Sequence, residues 1–124
     1  YEEVPSYLKA ADIFCFASVT ETQGLVTMEA MAADLPIVAV AATGTSDIVE
    51  DNKDGLLTAN DPAALAAALE KVIDDADLRQ RLKESAQEKV QWFDMRRQAQ
   101  RMLEVYAQAK EAKKENRYIK ANII

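Results

Sequence analysis

Two short apolar runs constrain the fold of this chain more than any other feature. Residues 13–17 (IFCFA) and 37–42 (IVAVAA) contain no charged side chain. Runs of this kind are typical of parallel strands covered on both faces, because a strand with one wet face alternates apolar and polar residues. Residues 56–58 form a third, shorter run. We therefore predict a parallel sheet, with Cys15 as a buried small hydrophobe.

Helical patterns separate and follow these runs. The first two predicted helices span residues 4–11 and residues 25 to before 34, and the third runs from a cap at Thr45 or Ser46 through Glu50. The fourth begins at Pro62 after an Asp61 cap, and the fifth spans residues 78–90. A long final helix follows an Asp94 cap. Leu25, Met28, Met31 and Ala32 recur at the helical spacing of one face of the second helix. The alternation of helices and strands predicts an α/β fold: a partial Rossmann-like, three-layer parallel sheet followed by helices.

Three strands are few for such a sheet, since a doubly wound domain normally has five or six. We therefore expect the chain to begin partway through a domain, with the missing strands upstream of Tyr1. The predicted organisation is one domain over residues 1–113 and a tail over residues 114–124, which ends in the apolar residues Ile119, Ile123 and Ile124.

Composition excludes several classes of function. The 124 residues are 49% hydrophobic and carry a net charge of −6, which argues against a nucleic-acid groove. The chain contains no histidine and one cysteine, so we predict no bound metal and no disulfide. No run reaches the roughly 18 apolar residues of a membrane span, and no secretion signal is recognisable. These observations predict a cytoplasmic protein segment.

Two polar turns follow the first two predicted strands, at residues 18–24 and 42–46. In open parallel sheets, ligands bind beyond the carboxyl ends of the strands, so both turns are expected to face one crevice. Gly24 would let the backbone approach a ligand closely. Free N–H groups of Gly24, Leu25 and Val26 at the helix start would favour a phosphate group.

Two glutamates accompany the first turn, and we expect both to face the same cavity. Glu29, one turn into the helix, is placed to accept hydrogen bonds from vicinal hydroxyls such as those of a ribose, and Glu21 could do the same for a sugar ring. Helix capping and solvation would also account for two such glutamates. Neither GxGxxG nor GxxxxGK[ST] occurs, so dinucleotide and P-loop sites have no motif.

Residues 11–58 resemble the donor-binding half of the retaining glycosyltransferases of family 4, which have the GT-B fold. That family carries two glutamates separated by seven residues, with Gly-Leu between them and EAMA at the second. In this chain the pattern is formed by Glu21, Gly24-Leu25 and residues 29–32. The resemblance implies the carboxyl-terminal half of a GT-B enzyme.

The resemblance also implies roles for individual residues. Glu29 would bind the ribose hydroxyls of the nucleotide, and Glu21 would be the catalytic-site residue that binds the hydroxyls of the donor sugar. The amides around Gly24, Leu25 and Val26 would bind the sugar and the diphosphate. The remaining implied donor-binding residues are Thr22 and Gln23 in the first turn and Gly44 and Thr45 in the second. No metal or other cofactor is implied besides the nucleotide-sugar substrate.

The chain departs from the family pattern in three ways. Residues 21–24 read ETQG where many members have EGFG, and this version is similar to the subgroup that glucosylates diacylglycerol in bacterial membranes. The resemblance thus implies UDP-glucose as donor and diacylglycerol as acceptor. Asp47 replaces a common glutamate. The family's diphosphate-binding Arg and Lys, and the acceptor-binding amino-terminal half, are absent, so we expect these 124 residues alone to be inactive and any membrane contact to belong to the full-length protein.

Other functions compete with this interpretation. A non-catalytic nucleotide-binding module would use the same fold, and another donor sugar or a soluble acceptor would fit the same motif. A receiver-type signalling domain would need aspartates clustered at strand ends, whereas Asp12 precedes its strand and Asp47 lies in a turn.

Overall fold

The computed structural model describes residues 3–115 of the chain. In chain order the elements are α1 (Val4–Ala10), β1 (Phe14–Phe16), α2 (Leu25–Ala32), β2 (Ile37–Val40), α3 (Thr45–Ile48), β3 (Leu56–Thr58), α4 (Pro62–Asp74), α5 (Ala76–Val90), a 3-10 turn (Gln91–Phe93) and α6 (Met95–Lys114). The described residues fall into two compact units that divide between Val90 and Gln91. The first contains the sheet and α1–α5, and the second contains α6.

The three strands form one parallel sheet in the order β1-β2-β3. Phe14 lies opposite Ile37 in the β1–β2 register, and Val38 lies opposite Leu56 in the β2–β3 register. The predicted α/β architecture is confirmed. β2 is the central strand, and all four of its side chains are buried.

The prediction that residues 13–17 are buried on both faces is wrong for the described residues. Within them β1 pairs with β2 alone and is an edge strand, so its side chains are half-buried or exposed. Cys15 is exposed and not the buried hydrophobe we expected. An apolar run indicates a strand, but it does not tell how much cover that strand receives from its neighbours.

Apolar clusters cover both faces of the sheet. Ile37 and Ala39 pack with Ala30 and Met31 of α2 on one face, and Val38 packs with Val72 of α4 on the other. α5 contributes to both clusters, with Ala86 in the first and Leu78 and Leu82 in the second. Its buried stripe is the one that the sequence predicts.

α5 is tied to the loops that enter β2 and β3. Lys83 Nζ lies 2.8 Å from Asp34 Oδ2, and Lys89 Nζ lies 2.7 Å from the buried Asp54 Oδ2. Arg81 donates to the carbonyl oxygen of Asn52 at 3.1 Å. Asp34 precedes β2 and the other two acceptors precede β3, so α5 lies near the amino ends of these strands. These contacts of α5 do not involve the turns at the carboxyl ends of β1 and β2, which form the candidate site.

Helix ends follow the capping predictions in two of three cases. The Asp61 side chain accepts from Ala64 N at 2.8 Å, and Asp94 caps α6. The predicted Thr45 or Ser46 cap of α3 is wrong, because Gly44 is the N-cap. That helix also ends at Ile48 instead of Glu50, because the next residue is extended.

The face predicted for α2 is partly confirmed, because Met31 is buried and Met28 packs half-buried against the core, but Leu25 and Ala32 are exposed. Thr27, Ala30 and Met31 are its buried residues, whereas Leu25 is 54% exposed. The predicted boundary between residues 113 and 114 stays a prediction, and Ile119, Ile123 and Ile124 lie outside the described residues.

Candidate functional site

The turn between β1 and α2 is held by the side chain of Glu21. Its Oε1 atom accepts N–H bonds from three successive residues, Thr22 at 2.9 Å, Gln23 at 3.0 Å and Gly24 at 3.1 Å. A carboxylate that accepts hydrogen bonds from the N–H groups before a helix satisfies donors that would otherwise bond only to water. Oε2 has no partner among the described residues.

These bonds also change the acidity of Glu21. The backbone N–H groups of Gln23, Gly24 and Thr22 lower the pKa of the carboxyl below its ordinary value of 4.5, because they bond to the charged form. The group is therefore a carboxylate at neutral pH. It can accept further hydrogen bonds, and it is a poor proton donor.

Two glycines bring the first turn against the second. A Cβ atom on Gly44 would lie 2.6 Å from the carbonyl oxygen of Glu21, and one on Gly24 would lie 3.0 Å from the carbonyl oxygen of Gly44. Both residues have positive φ, +64° at Gly24 and +81° at Gly44. Only glycine combines this conformation with such close backbone contact. The prediction that both turns lie at one edge of the sheet agrees with this contact.

Two polar side chains of α3 follow Gly44. Asp47 Oδ2 accepts from Gly44 N at 3.3 Å, so this residue holds the second turn. The hydroxyl of Thr45 is fully buried and has no hydrogen-bond partner among the described residues, and the same holds for Thr27 of α2. Buried hydroxyls without a partner are uncommon in folded proteins, so these two are unusual features beside the turns.

The amino end of α2 presents backbone donors. The N–H groups of Leu25 and Val26 have no acceptor among residues 3–115, whereas that of Gly24 is taken by Glu21. We expected three free N–H groups, and the structure leaves Gly24 out of that set. A helix amino end of this kind attracts an anion through its dipole and its free donors.

Glu29 lies in the wall of a cleft of about 240 Å³. The other lining residues, from α1, α2 and the residue after α2, are mostly apolar: Val4, Pro5, Leu8, Lys9, Ala32 and Ala33. The Glu29 side chain is half-buried and makes no hydrogen bond or ion pair among the described residues. An unpaired carboxylate against an apolar wall is costly unless a ligand or water bonds to it.

The predicted residues divide into two groups. Glu21, Gly24 and Gly44 lie in direct contact, with Thr22, Gln23 and Thr45 adjoining them in the chain. Glu29 lies in a cleft whose wall contains no residue of the first turn, so the single cavity expected for both glutamates is not the cleft beside Glu29.

Sequence reasoning missed two features of this site. The apolar wall supplied by α1, with Val4 and Leu8 four residues apart, was not predicted as part of a site. The link from Asp47 to the Gly44 amide was not predicted, and it corresponds to the half of a capping box in which a carboxylate at N3 accepts from the N-cap N–H.

A family model described as glycosyl transferases group 1 matches residues 1–89. The chain belongs to this family. It is 35% identical over 109 residues to D-inositol 3-phosphate glycosyltransferase of Salinispora tropica. This match covers 87% of the chain but only 23% of that relative, so the chain spans about a quarter of its length.

Solved structures support the same assignment. Anabaena Alr3699/HepE in complex with UDP superimposes with a TM-score of 0.79 at 27% identity, over 87% of this chain and 30% of that one. Sucrose-phosphate synthase from Thermosynechococcus elongatus gives a TM-score of 0.71 at 32% identity, over 86% and 27% of the two chains. The three-stranded unit therefore corresponds to the carboxyl-terminal half of a GT-B glycosyltransferase.

Two further observations concern partners. No helix within residues 3–115 is long and apolar enough to cross a membrane. Over the same residues, no group of three or more Cys, Asp or Glu side chains could hold a metal ion. The cytoplasmic location and the absence of a metal stay predictions.

Proposed function

We propose that this chain binds the nucleotide-sugar donor of a retaining glycosyltransferase, which moves a hexose, glucose from UDP-glucose, to an acceptor bound elsewhere in the full protein. The observation that carries the proposal is the half-buried, unpaired Glu29 carboxylate in the apolar cleft between α1 and α2. A nucleoside has a flat base, which would pack on the apolar wall, and a ribose with adjacent hydroxyls, which would bond to the carboxylate.

The cleft would hold the nucleoside. Its volume of about 240 Å³ is below the roughly 300–1,000 Å³ of complete small-molecule sites, so it would take part of the ligand. Val4, Pro5 and Leu8 would contact the base, and Glu29 would accept hydrogen bonds from the ribose hydroxyls.

The diphosphate and the sugar would lie toward the two turns. The free N–H groups of Leu25 and Val26 at the start of α2 suit the diphosphate. The Oε2 atom of Glu21 would accept from the hydroxyls of the sugar, while Thr22 and Gln23 would line that end. Gly44 and Thr45 would line the nucleotide side, where the buried Thr45 hydroxyl lacks a partner.

Transfer with retention requires stabilisation of the leaving nucleoside diphosphate while the acceptor attacks from the same face of the sugar. The helix end at Leu25 supplies part of this stabilisation, worth about 0.3–1 kcal/mol per exposed interaction. Glu21 stays ionised beside the developing oxocarbenium ion, which its negative charge favours. We propose that the complete enzyme supplies the cationic groups and needs no metal.

UDP-glucose as donor is supported by Anabaena Alr3699/HepE, whose structure with UDP-glucose has a TM-score of 0.75 at 28% identity over 86% of this chain and 30% of that one. The acceptor has two candidates. The motif at residues 21–24 favours diacylglycerol as the acceptor. The Salinispora tropica relative is instead named for D-inositol 3-phosphate, a soluble acceptor.

A transfer assay with the full-length protein tests the proposal. UDP-glucose is supplied with diacylglycerol vesicles in one arm and D-inositol 3-phosphate in the other, and released UDP and glycosylated product are measured. Product in one arm identifies the acceptor. Absence of UDP binding and of UDP-glucose turnover would contradict the donor function and favour a different ligand for the module.

A further inference from the structure

We propose that Glu21 is a positioning residue for the amino end of α2, in addition to its proposed contact with the sugar. Through Oε1 it fixes the turn that aims the free N–H groups of Leu25 and Val26 at the ligand. This inference rests on the proposed donor function, but its structural part can be tested without a ligand.

The bonding pattern of Glu21 carries the inference. One carboxylate oxygen accepts three successive N–H groups at 2.9, 3.0 and 3.1 Å. The last of these belongs to Gly24, the N-cap of α2, whose φ is +64°. Free donors begin at the next residue, Leu25. The side chain therefore sets the conformation of the segment immediately before the anion-attracting helix end.

The second turn holds the same segment from the other side. The carbonyl oxygen of Glu21 and the peptide of Thr22 lie against Gly44, where even a Cβ atom would come within 2.9 Å of them. The backbone of Glu21 is thus confined by Gly44, and its side chain bonds the residues that follow. Loss of the carboxylate would release the side-chain bonds and leave the backbone contact.

The two carboxylate oxygens would have separate tasks. Oε1 is used by the turn, and Oε2 has no partner among the described residues. A residue that only bound the sugar would have no effect on a ligand without sugar. A positioning residue would affect that ligand as well, because UDP still bonds to the helix end.

Amide exchange tests the turn in the free, full-length protein. Exchange at residues 22–24 is compared between wild type, Glu21→Ala, Glu21→Gln and the control Glu88→Ala, which removes an exposed glutamate of α5. We expect exchange about tenfold faster or more in Glu21→Ala, a smaller change in Glu21→Gln, which keeps an oxygen acceptor, and none in the control. Equal exchange in wild type and Glu21→Ala would overturn the inference.

Calorimetry with UDP then tests the effect on the ligand. We expect Glu21→Ala to weaken UDP binding about tenfold and Glu21→Gln to restore most of the affinity. Equal UDP affinity in all variants, with altered exchange, would reduce Glu21 to a local cap and overturn its positioning role. Absence of UDP binding in wild type would instead refute the proposed function, while the exchange result would still decide whether Glu21 fixes the turn.

Discussion

Gly44→Ala is the substitution that tests most directly whether ligand binding depends on the packing of the two turns. The new Cβ atom would lie 2.6 Å from the carbonyl oxygen of Glu21 and 2.9 Å from the carbonyl carbon of Thr22. These are backbone atoms, so the clash cannot be relieved by a rotamer change. The φ of +81° adds strain for a residue with a side chain.

The expected loss in free energy of unfolding combines both effects. A sparsely populated backbone conformation costs roughly 1–3 kcal/mol, and overpacking costs a similar amount. The loss would therefore be about 2–6 kcal/mol in urea denaturation. Because the first turn must move away from Gly44, we also expect UDP affinity to fall at least about tenfold at a temperature where the variant is folded.

Gly55→Ala is the matched control. Its Cβ atom would lie 2.7 Å from Val49 Cγ1, away from both turns and without positive φ. Stability should fall by roughly 1–3 kcal/mol while UDP affinity stays at the wild-type value. Wild-type UDP affinity in folded Gly44→Ala, or unchanged stability, would show that contact between the two turns does not control ligand binding or stability.

Three further predictions concern single side chains. Asp54→Ala should lower the free energy of unfolding by about 3–5 kcal/mol, because the buried carboxylate pairs Lys89; Glu50→Ala, which breaks an exposed pair, should leave the urea midpoint nearly unchanged. Asp61→Ala should cost about 1 kcal/mol through loss of the α4 cap, measured in the same way. Because folding lowers the pKa of Glu21, the ionised carboxylate stabilises the fold fully above pH 4.5, and this stabilisation is lost as the pH falls through the folded pKa. The difference in urea midpoint between wild type and Glu21→Gln should therefore shrink in acid. A difference that stays constant with pH would contradict this prediction.

The strand and helix segments could be predicted because they depend on local signals. β2 reads as one apolar run and is buried throughout, and Asp61 followed by Pro62 marks the start of α4. The exposure of Cys15 could not be predicted in this way. It depends on how many strands pair with β1, which is a property of the sheet and not of the run.

The buried face of α2 shows a second limit. Helical spacing selects Leu25 and Met28 as readily as Thr27 and Ala30, and the structure buries the second pair together with Met31. The packed side includes Thr27, whose hydroxyl has no hydrogen-bond partner among the described residues. Polarity alone would have assigned this threonine to the solvent side.

The sequence motif selects candidate site residues, but it does not give their arrangement. The motif identifies Glu21 and Glu29 as a pair, yet the first bonds its own backbone and the second lines a cleft formed with α1. The contact between Gly24 and Gly44 arises from the sheet, which brings together turns that are distant in sequence. No pattern within a short segment of sequence predicts a contact between residues so far apart in the chain.

The central claim is that Glu29 binds the ribose of a nucleotide donor. Calorimetry with UDP and with 2′-deoxy-UDP, on full-length wild type, Glu29→Ala and the control Glu88→Ala, tests it most directly. A lost charge-assisted contact is worth about 1.5–3 kcal/mol, so Glu29→Ala should weaken UDP binding roughly tenfold to a hundredfold. We predict that wild type and Glu88→Ala prefer UDP over its deoxy form and that Glu29→Ala loses this preference. An unchanged preference in Glu29→Ala would contradict the account.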